Sequence, residues 1–245
     1  MTIRMYIVRH AQPANQEQGY TGGPNYPLGK LGMEQAACVG EQFANWLPLD
    51  VIYSSTLQRA LQTAEAIHKK RSVPWYVYPA LSETDRRGWP LMRELVGAGS
   101  YQVHAEEAAA NKAAQSEHYP LLSKVGELFP GVQRGRDFNW PDIWHPALEA
   151  ETREKTYDRA RRVMATIRKI HEGTDVTIAI VCHAAFGSVM LNELLGCDPC
   201  DHNRFSFSHA AIARVDIEDD DSVSLRLLNY VGHLRPEMVT EGLEL

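Results

Sequence analysis

The chain has 245 residues, of which 44% are apolar and 23% are charged, and these are the proportions of an ordinary globular protein. Its formal net charge of −6 argues against general binding to nucleic acid or to an anionic membrane, because both require a basic footprint. The first apolar run, Met5–Val8, is too short for a signal sequence, and no window approaches a membrane span. Since four cysteines are too few for a disulfide framework at this size, we expect a cytoplasmic protein with reduced thiols.

The first third of the chain alternates strand and helix patterns. The run IRMYIVRH is apolar on both faces, as a central parallel strand should be, and a long loop rich in Gly, Pro and Asn follows it. Thr56 is a plausible N-cap of the second helix. The predicted order is strand, helix, strand, helix, strand over residues 3–10, 33–47, 50–55, 56–70 and 74–81.

The alternation is interrupted once and then resumes. Residues 90–150 mix helical pieces with Pro and Gly breaks, so we interpret them as a cap inserted into a single domain spanning 1–245. A helix, a buried strand, a helix and a hairpin follow over residues 152–173, 175–183, 184–196 and 211–231. Buried strands alternating with helices predict an α/β fold, a three-layer α/β/α sandwich around a mostly parallel sheet.

Polar side chains follow four of the predicted strands. Arg9 and His10 end the first strand, and Arg59 lies one turn into the helix after the second. Glu83 follows the third strand, and His183 ends a later one. Because sites in parallel sheets lie beyond the carboxyl ends of the strands, we expect these five side chains to meet at one edge.

These residue types suit a phosphoryl group. Arginines present planar forks of donors that match phosphate oxygens, and the free amides of the helix after His183, Ala184 above all, form an anion site. A neutral histidine can attack phosphorus, while Glu83 gives a proton to the leaving oxygen and later takes one from water. No metal or other cofactor is expected if guanidinium groups stabilise the charge.

Five ordered motifs resemble those of the histidine phosphatase superfamily, also called the phosphoglycerate mutase-like family. They are VRHA, PLGKLGMEQA, SSTLQRALQTAEAI, LSETDRRGW and AIVCHAAF. The resemblance implies a phosphorylated nucleophile at His10, a proton donor at Glu83, and a phosphate clamp formed by Arg9, Arg59 and His183. It also implies substrate contacts from Asn15, Thr21 and Gly22, although the family's asparagine lies one position later than Asn15.

The sequence departs from the family pattern in two further ways. Ala11, Cys182 and Ala184 stand where the family has glycines, which narrows the room near the phosphate. The segment after Glu83 lacks the Arg-His-Tyr-Gly run of the mutases, and this second departure favours a phosphatase. A mutase-type phosphotransfer isomerase and a non-catalytic module that binds a phosphorylated ligand remain as alternatives. Asp85 competes with Glu83 for the proton-donor role.

The sequence gives only the general class of the substrate, partners and metals. We expect a small phosphorylated substrate, with a phosphoprotein not excluded, and no nucleic acid or membrane partner; a homodimer is possible. Cys197 and Cys200 could be half of a zinc site or a redox pair, but we favour two loop cysteines, because tetrahedral zinc needs four ligands.

Overall fold

One mixed sheet forms the centre of the molecule. The computed structural model describes residues 1–21, 25–46, 48–84, 125–134, 151–200 and 203–241. The strands in these residues are β1 (Thr2–Arg9), β2 (Val51–Ser54), β3 (Trp75–Val77), β4 (Val132–Arg134), β5 (Val176–Cys182), β6 (Ile212–Glu218) and β7 (Val223–Tyr230). Their order is β4-β3-β2-β5-β1-β6-β7; β1 to β5 are parallel, and β6 and β7 form an antiparallel hairpin beside β1.

Helices cover both faces of the sheet. Within the described residues they are α1 (Lys30–Asn45), α2 (Gln58–Arg71), α3 (Val125–Leu128), α4 (Arg153–Ile170) and α5 (Ala184–Leu194). Side chains alternate along β1, so that Met5 and Ile7 share a core with α4 and α5, whereas Tyr6 and Val8 share one with α1 and α2. The three-layer α/β/α architecture and the mostly parallel sheet are therefore confirmed.

Two local predictions in the first third are wrong. The helix α2 begins at Gln58, and Thr56 does not cap it; the amide of Gln58 donates instead to Asn25 Oδ1 at 2.9 Å, from the long loop. The third strand stops at Val77, and Pro79–Leu81 form a 3-10 turn. Proline has no N–H to give to a ladder, so the strand cannot continue through Pro79.

The predicted cap lies only partly within the described residues. Its Val132–Arg134 form the edge strand β4, which pairs in parallel with β3, and so this part of the segment belongs to the sheet. The rest of residues 90–150, apart from 125–134, lies outside the described residues, and for it the cap stays a prediction. In the described part of the chain, no helix is long and apolar enough to cross a membrane.

Candidate active site

The two predicted histidines lie side by side because their strands are neighbours. Arg9 is paired with Cys182 in the parallel register of β1 and β5, so the next residue of each strand is His10 or His183. The amide of His10 donates to the carbonyl of Cys182 at 2.9 Å, and the two imidazole centroids are 5.0 Å apart. Both rings are fully buried. The carboxyl edge of the sheet thus forms the centre of a candidate site.

The partners of His10 determine which ring nitrogen carries its proton. Nδ1 lies 2.7 Å from the carbonyl oxygen of Ala11, which can only accept, so Nδ1 is the protonated nitrogen. Nε2 accepts a hydrogen bond from Arg59 Nε at 3.1 Å. The imidazole is therefore neutral, and the lone pair of Nε2 faces the guanidinium of Arg59.

Arg59 is a buried cation in the first turn of a helix, where the helix dipole disfavours positive charge. Its guanidinium lies over the ring of Tyr26, 4.7 Å from the centroid, so the aromatic face provides part of its stabilisation. This cation contacts His10 and lies at the helix end that disfavours positive charge, and such a position is suited to binding an anion.

Arg9 is as deeply buried as the histidines, with 1% of its surface exposed. Its Nη1 donates to the carbonyl oxygen of Phe207 at 2.7 Å, and its Nη2 lies 3.1 Å from Nε2 of His209. His209 is fully buried, and its ring centroid is 6.0 Å from that of His10. This third histidine was not predicted as a site residue, because it lies far along the chain and follows no strand of the parallel set.

A run of three hydroxyl residues at the carboxyl end of β2 makes hydrogen bonds in and around the site. Ser55 Oγ lies 2.8 Å from Nε2 of His183, and Thr56 Oγ1 lies 3.2 Å from Ser82 Oγ, next to Glu83. Ser54 accepts from the indole of Trp75 at 2.7 Å. In the sequence this run is only part of a motif, whereas in the structure Ser55 contacts His183 and Thr56 contacts the residue before Glu83.

Glu83 is anchored at the N-terminus of α5. Its carboxylate accepts from the amide of Phe186 at 2.9 Å and from that of Ala185 at 3.3 Å. A helix N-terminus stabilises a carboxylate, so this contact fixes Glu83 beside His183. The predicted anion site at the start of α5 is therefore partly occupied within the protein. The Glu83 carboxylate binds the two amides that follow Ala184.

The other predicted contacts are dispersed. Asn15 and Thr21 are exposed, and Gly22 lies outside the described residues, as does Asp85. Gln16, six positions after His10, brings its Nε2 to 3.5 Å from His209 Nε2. In the described part of the chain, no group of three or more His, Cys, Asp and Glu side chains could hold a metal ion.

The loop after His10 is fastened to α1. Gln35 Oε1 accepts from the amide of Gln12 at 2.7 Å, and the amide of Gly29 donates to the carbonyl oxygen of Gln12 at 3.0 Å. A Cβ on Gly32 would lie 1.9 Å from that carbonyl oxygen, so only glycine allows this close approach. The Gly-x-x-Gln spacing in the sequence thus holds the backbone directly after His10 in place.

Comparisons with known proteins show which family and fold the chain shares. The model of the histidine phosphatase superfamily (branch 1) matches residues 5–133 and 120–230. Phosphoserine phosphatase 1 of Hydrogenobacter thermophilus is 25% identical over 236 residues, covering 95% of this chain and 94% of that protein. A 2,3-bisphosphoglycerate-dependent phosphoglycerate mutase of Chlamydia muridarum is 33% identical over 90 residues, which are 35% of this chain and only 39% of the mutase. A phosphoserine phosphatase variant of Entamoeba histolytica, solved with phosphoserine, superposes with a TM-score of 0.61 at 17% identity over 95% of this chain and 100% of that one.

Proposed function

Because this chain belongs to the histidine phosphatase superfamily, we propose that it is a metal-independent phosphomonoester hydrolase that acts through a phosphohistidine at His10. The observation that carries the proposal is the state of His10: Nδ1 is bonded to the Ala11 carbonyl, and the lone pair of Nε2 faces Arg59. An in-line attack on phosphorus requires an unprotonated nitrogen, which Nε2 of this neutral imidazole supplies once a substrate phosphate takes over the hydrogen bond from Arg59.

In the first step, Nε2 of His10 attacks phosphorus, the N–P bond forms and the bond from phosphorus to the ester oxygen breaks. The leaving oxygen takes a proton from the carboxyl group of Glu83. Binding of a phosphate dianion beside Glu83 favours protonation of that carboxylate, since two adjacent negative charges repel each other. Its anchorage on the α5 amides keeps the carboxyl group next to His183 throughout.

Arg9, Arg59 and His183 form the proposed phosphate clamp. The two guanidinium groups provide fixed positive charge in a buried site, where it stabilises the charge of the transition state more strongly than in water. Planar forks also suit the spread of phosphoryl oxygens, which accounts for arginine rather than lysine at both positions. In our proposal, these groups take the charge-stabilising part that a divalent cation takes in other phosphatases.

In the second step, water attacks the phosphohistidine and gives one proton to the carboxylate of Glu83. The N–P bond breaks, inorganic phosphate leaves, and His10 and Glu83 return to their starting states. The same residue thus serves as acid and then as base, so no other proton carrier is required.

The test is phosphate release from a panel of phosphomonoesters in the presence of EDTA. The panel includes phosphoserine and 3-phosphoglycerate, because relatives act on or bind these compounds. We expect turnover in EDTA, loss of turnover in His10→Ala, and an acid-labile phosphoryl adduct on the wild-type protein alone. His171→Ala is the matched control, because His171 contacts Tyr53 and follows α4, near the amino end of β1 and away from the carboxyl ends of the strands. Turnover that survives His10→Ala, or that EDTA abolishes, would refute the proposal.

The local similarity to phosphoglycerate mutases favours a second candidate, a mutase-type isomerase that uses the same residues. Because the matched region covers about two fifths of those mutases, the similarity concerns a part of the enzyme and not the whole of it. Conversion of 3-phosphoglycerate to its 2-isomer, dependent on a bisphosphate primer and without net phosphate release, would establish the mutase instead.

A further inference from the structure

His209 is a third buried histidine in the site, and none of the proposed steps uses it. We propose that His209 is a positioning residue: a neutral acceptor that orients the guanidinium of Arg9 toward the substrate phosphate without neutralising its charge. The inference rests on the proposed function, because it assigns His209 a part in the phosphate clamp.

The contacts of His209 define its protonation state. Arg9 Nη2 can only donate, so Nε2 of His209, 3.1 Å away, must present its lone pair. Nδ1 lies 3.0 Å from Oγ1 of Thr240, which accepts a hydrogen bond from the Nδ1–H group. The ring is therefore neutral, with the proton on the nitrogen that points away from Arg9.

The absence of charge on this acceptor matters for the clamp. Both the Nε2 of His209 and the carbonyl oxygen of Phe207 are uncharged acceptors, and each binds a different Nη atom of Arg9. Two fixed acceptors on separate nitrogens set the plane of the guanidinium. A carboxylate in place of His209 would orient Arg9 equally well, but it would cancel much of the positive charge that attracts the phosphate.

The position of His209 is itself secured by the segment after β7. The amide of His209 donates to the carbonyl of Thr240 at 2.9 Å, so backbone and side chain are bound to the same residue. Gln35 Nε2 donates to Thr240 Oγ1 at 3.0 Å and to the carbonyl of Met238 at 2.7 Å. Since Gln35 also binds the loop after His10, one buried amide joins the nucleophile loop to the residues that hold Arg9.

Three substitutions separate orientation from charge. His209→Gln places a neutral amide oxygen near the position of Nε2, His209→Glu places a charged oxygen there with the same reach, and His209→Asn is too short to reach Arg9. The measurements are kcat and KM on the best ester of the panel, and the Kd for inorganic phosphate by calorimetry. Circular dichroism and thermal unfolding report whether each variant is folded.

We expect His209→Gln to bind phosphate within about threefold of wild type, and His209→Asn and His209→Glu to bind it about tenfold or more weakly, as for loss of one charge-assisted hydrogen bond. The loss should fall on KM more than on kcat. Thr240→Val removes the partner of Nδ1 and one of the two acceptors of Gln35 Nε2 but leaves the contact between His209 Nε2 and Arg9, so it should weaken phosphate binding less; it replaces any His209 variant that fails to fold.

Equal phosphate affinity in the Gln and Glu variants would overturn the inference, and so would wild-type affinity in all variants. Phosphate binding needs no turnover, so the two proposals fail separately. A difference between Gln and Glu without turnover in the wild type would refute the hydrolase alone, whereas turnover with no such difference would refute the role of His209 alone.

Discussion

Replacing Arg159 with leucine should remove the support of Glu83 without touching the phosphate clamp. Arg159 lies on α4 with 4% of its side chain exposed. Its Nη1 donates to the carbonyls of Ala80 at 2.7 Å and Ser82 at 2.8 Å, in the turn that leads to Glu83. Its guanidinium also lies 4.0 Å from the centroid of the Phe186 ring, and the amide of Phe186 binds Glu83. Arg159 therefore contacts Ser82, which precedes the proposed proton donor in the chain, and Phe186, whose amide binds its carboxylate.

The magnitude depends on the groups that Arg159→Leu would leave without a partner. Glu151, which pairs with Arg159 through bonds of 2.8 and 2.6 Å, would remain 15% exposed without its cation, and two backbone carbonyls would lose their donor. Breaking a buried pair of this kind costs about 3–5 kcal/mol of unfolding free energy. A domain of ordinary stability, about 5–15 kcal/mol, would remain folded. Misplacing a general acid should lower kcat by about 10²-fold or more, with little change in KM.

The assay compares urea unfolding and kcat for two kinds of ester. The alkoxide of an alkyl phosphate needs a proton in order to leave, whereas 4-nitrophenyl phosphate releases 4-nitrophenolate, which leaves readily as an anion. The variant should therefore lose much more rate on the alkyl ester. The control is Arg161→Leu on the same helix, whose side chain is 61% exposed and pairs with Glu193; it should cost about 0–1 kcal/mol and no activity. An equal rate loss on both esters, or equal effects of the two variants, would refute the reasoning.

Two further predictions concern stability. Burial lowers the pKa of His233 to about 4 from its ordinary value of 6.5. As the pH falls below 6.5, the unfolded chain therefore binds a proton at this residue that the folded chain does not, and the folded state loses stability. Between pH 7 and pH 5 the wild type should therefore lose about 1 kcal/mol more unfolding free energy than His233→Phe, after allowance for partial exposure, and parallel pH curves in urea would contradict this. Gly32→Ala should cost about 1–3 kcal/mol, because its Cβ would overlap the Gln12 carbonyl, whereas Gly126→Ala, with nothing within 4 Å, should be neutral or slightly stabilising; similar thermal shifts in the two would disprove the clash.

The sequence by itself was sufficient to predict the architecture and the meeting of His10 and His183 at one edge of the sheet. Uninterrupted apolar runs such as that ending at Arg9 identify buried parallel strands, and parallel strands bring the residues after their carboxyl ends to the same edge of the sheet. His10 and His183 could therefore be placed together although they are distant in the chain, because the rule depends on strand direction and not on the details of packing.

Only the tertiary structure decided how those residues are held. The Arg9–His209 contact joins positions 200 residues apart. His209 lies just before the antiparallel hairpin, and no spacing pattern in the sequence predicts which side chain this segment places beside Arg9. The N-terminus of α2 is likewise bound by Asn25, 33 residues before Gln58, in place of the nearby Thr56. Local propensities describe what a segment can do alone, whereas buried polar groups take whichever partner packing brings within hydrogen-bond distance. The protonation state of His10 and the support of Arg9 and Glu83 are properties of that packing.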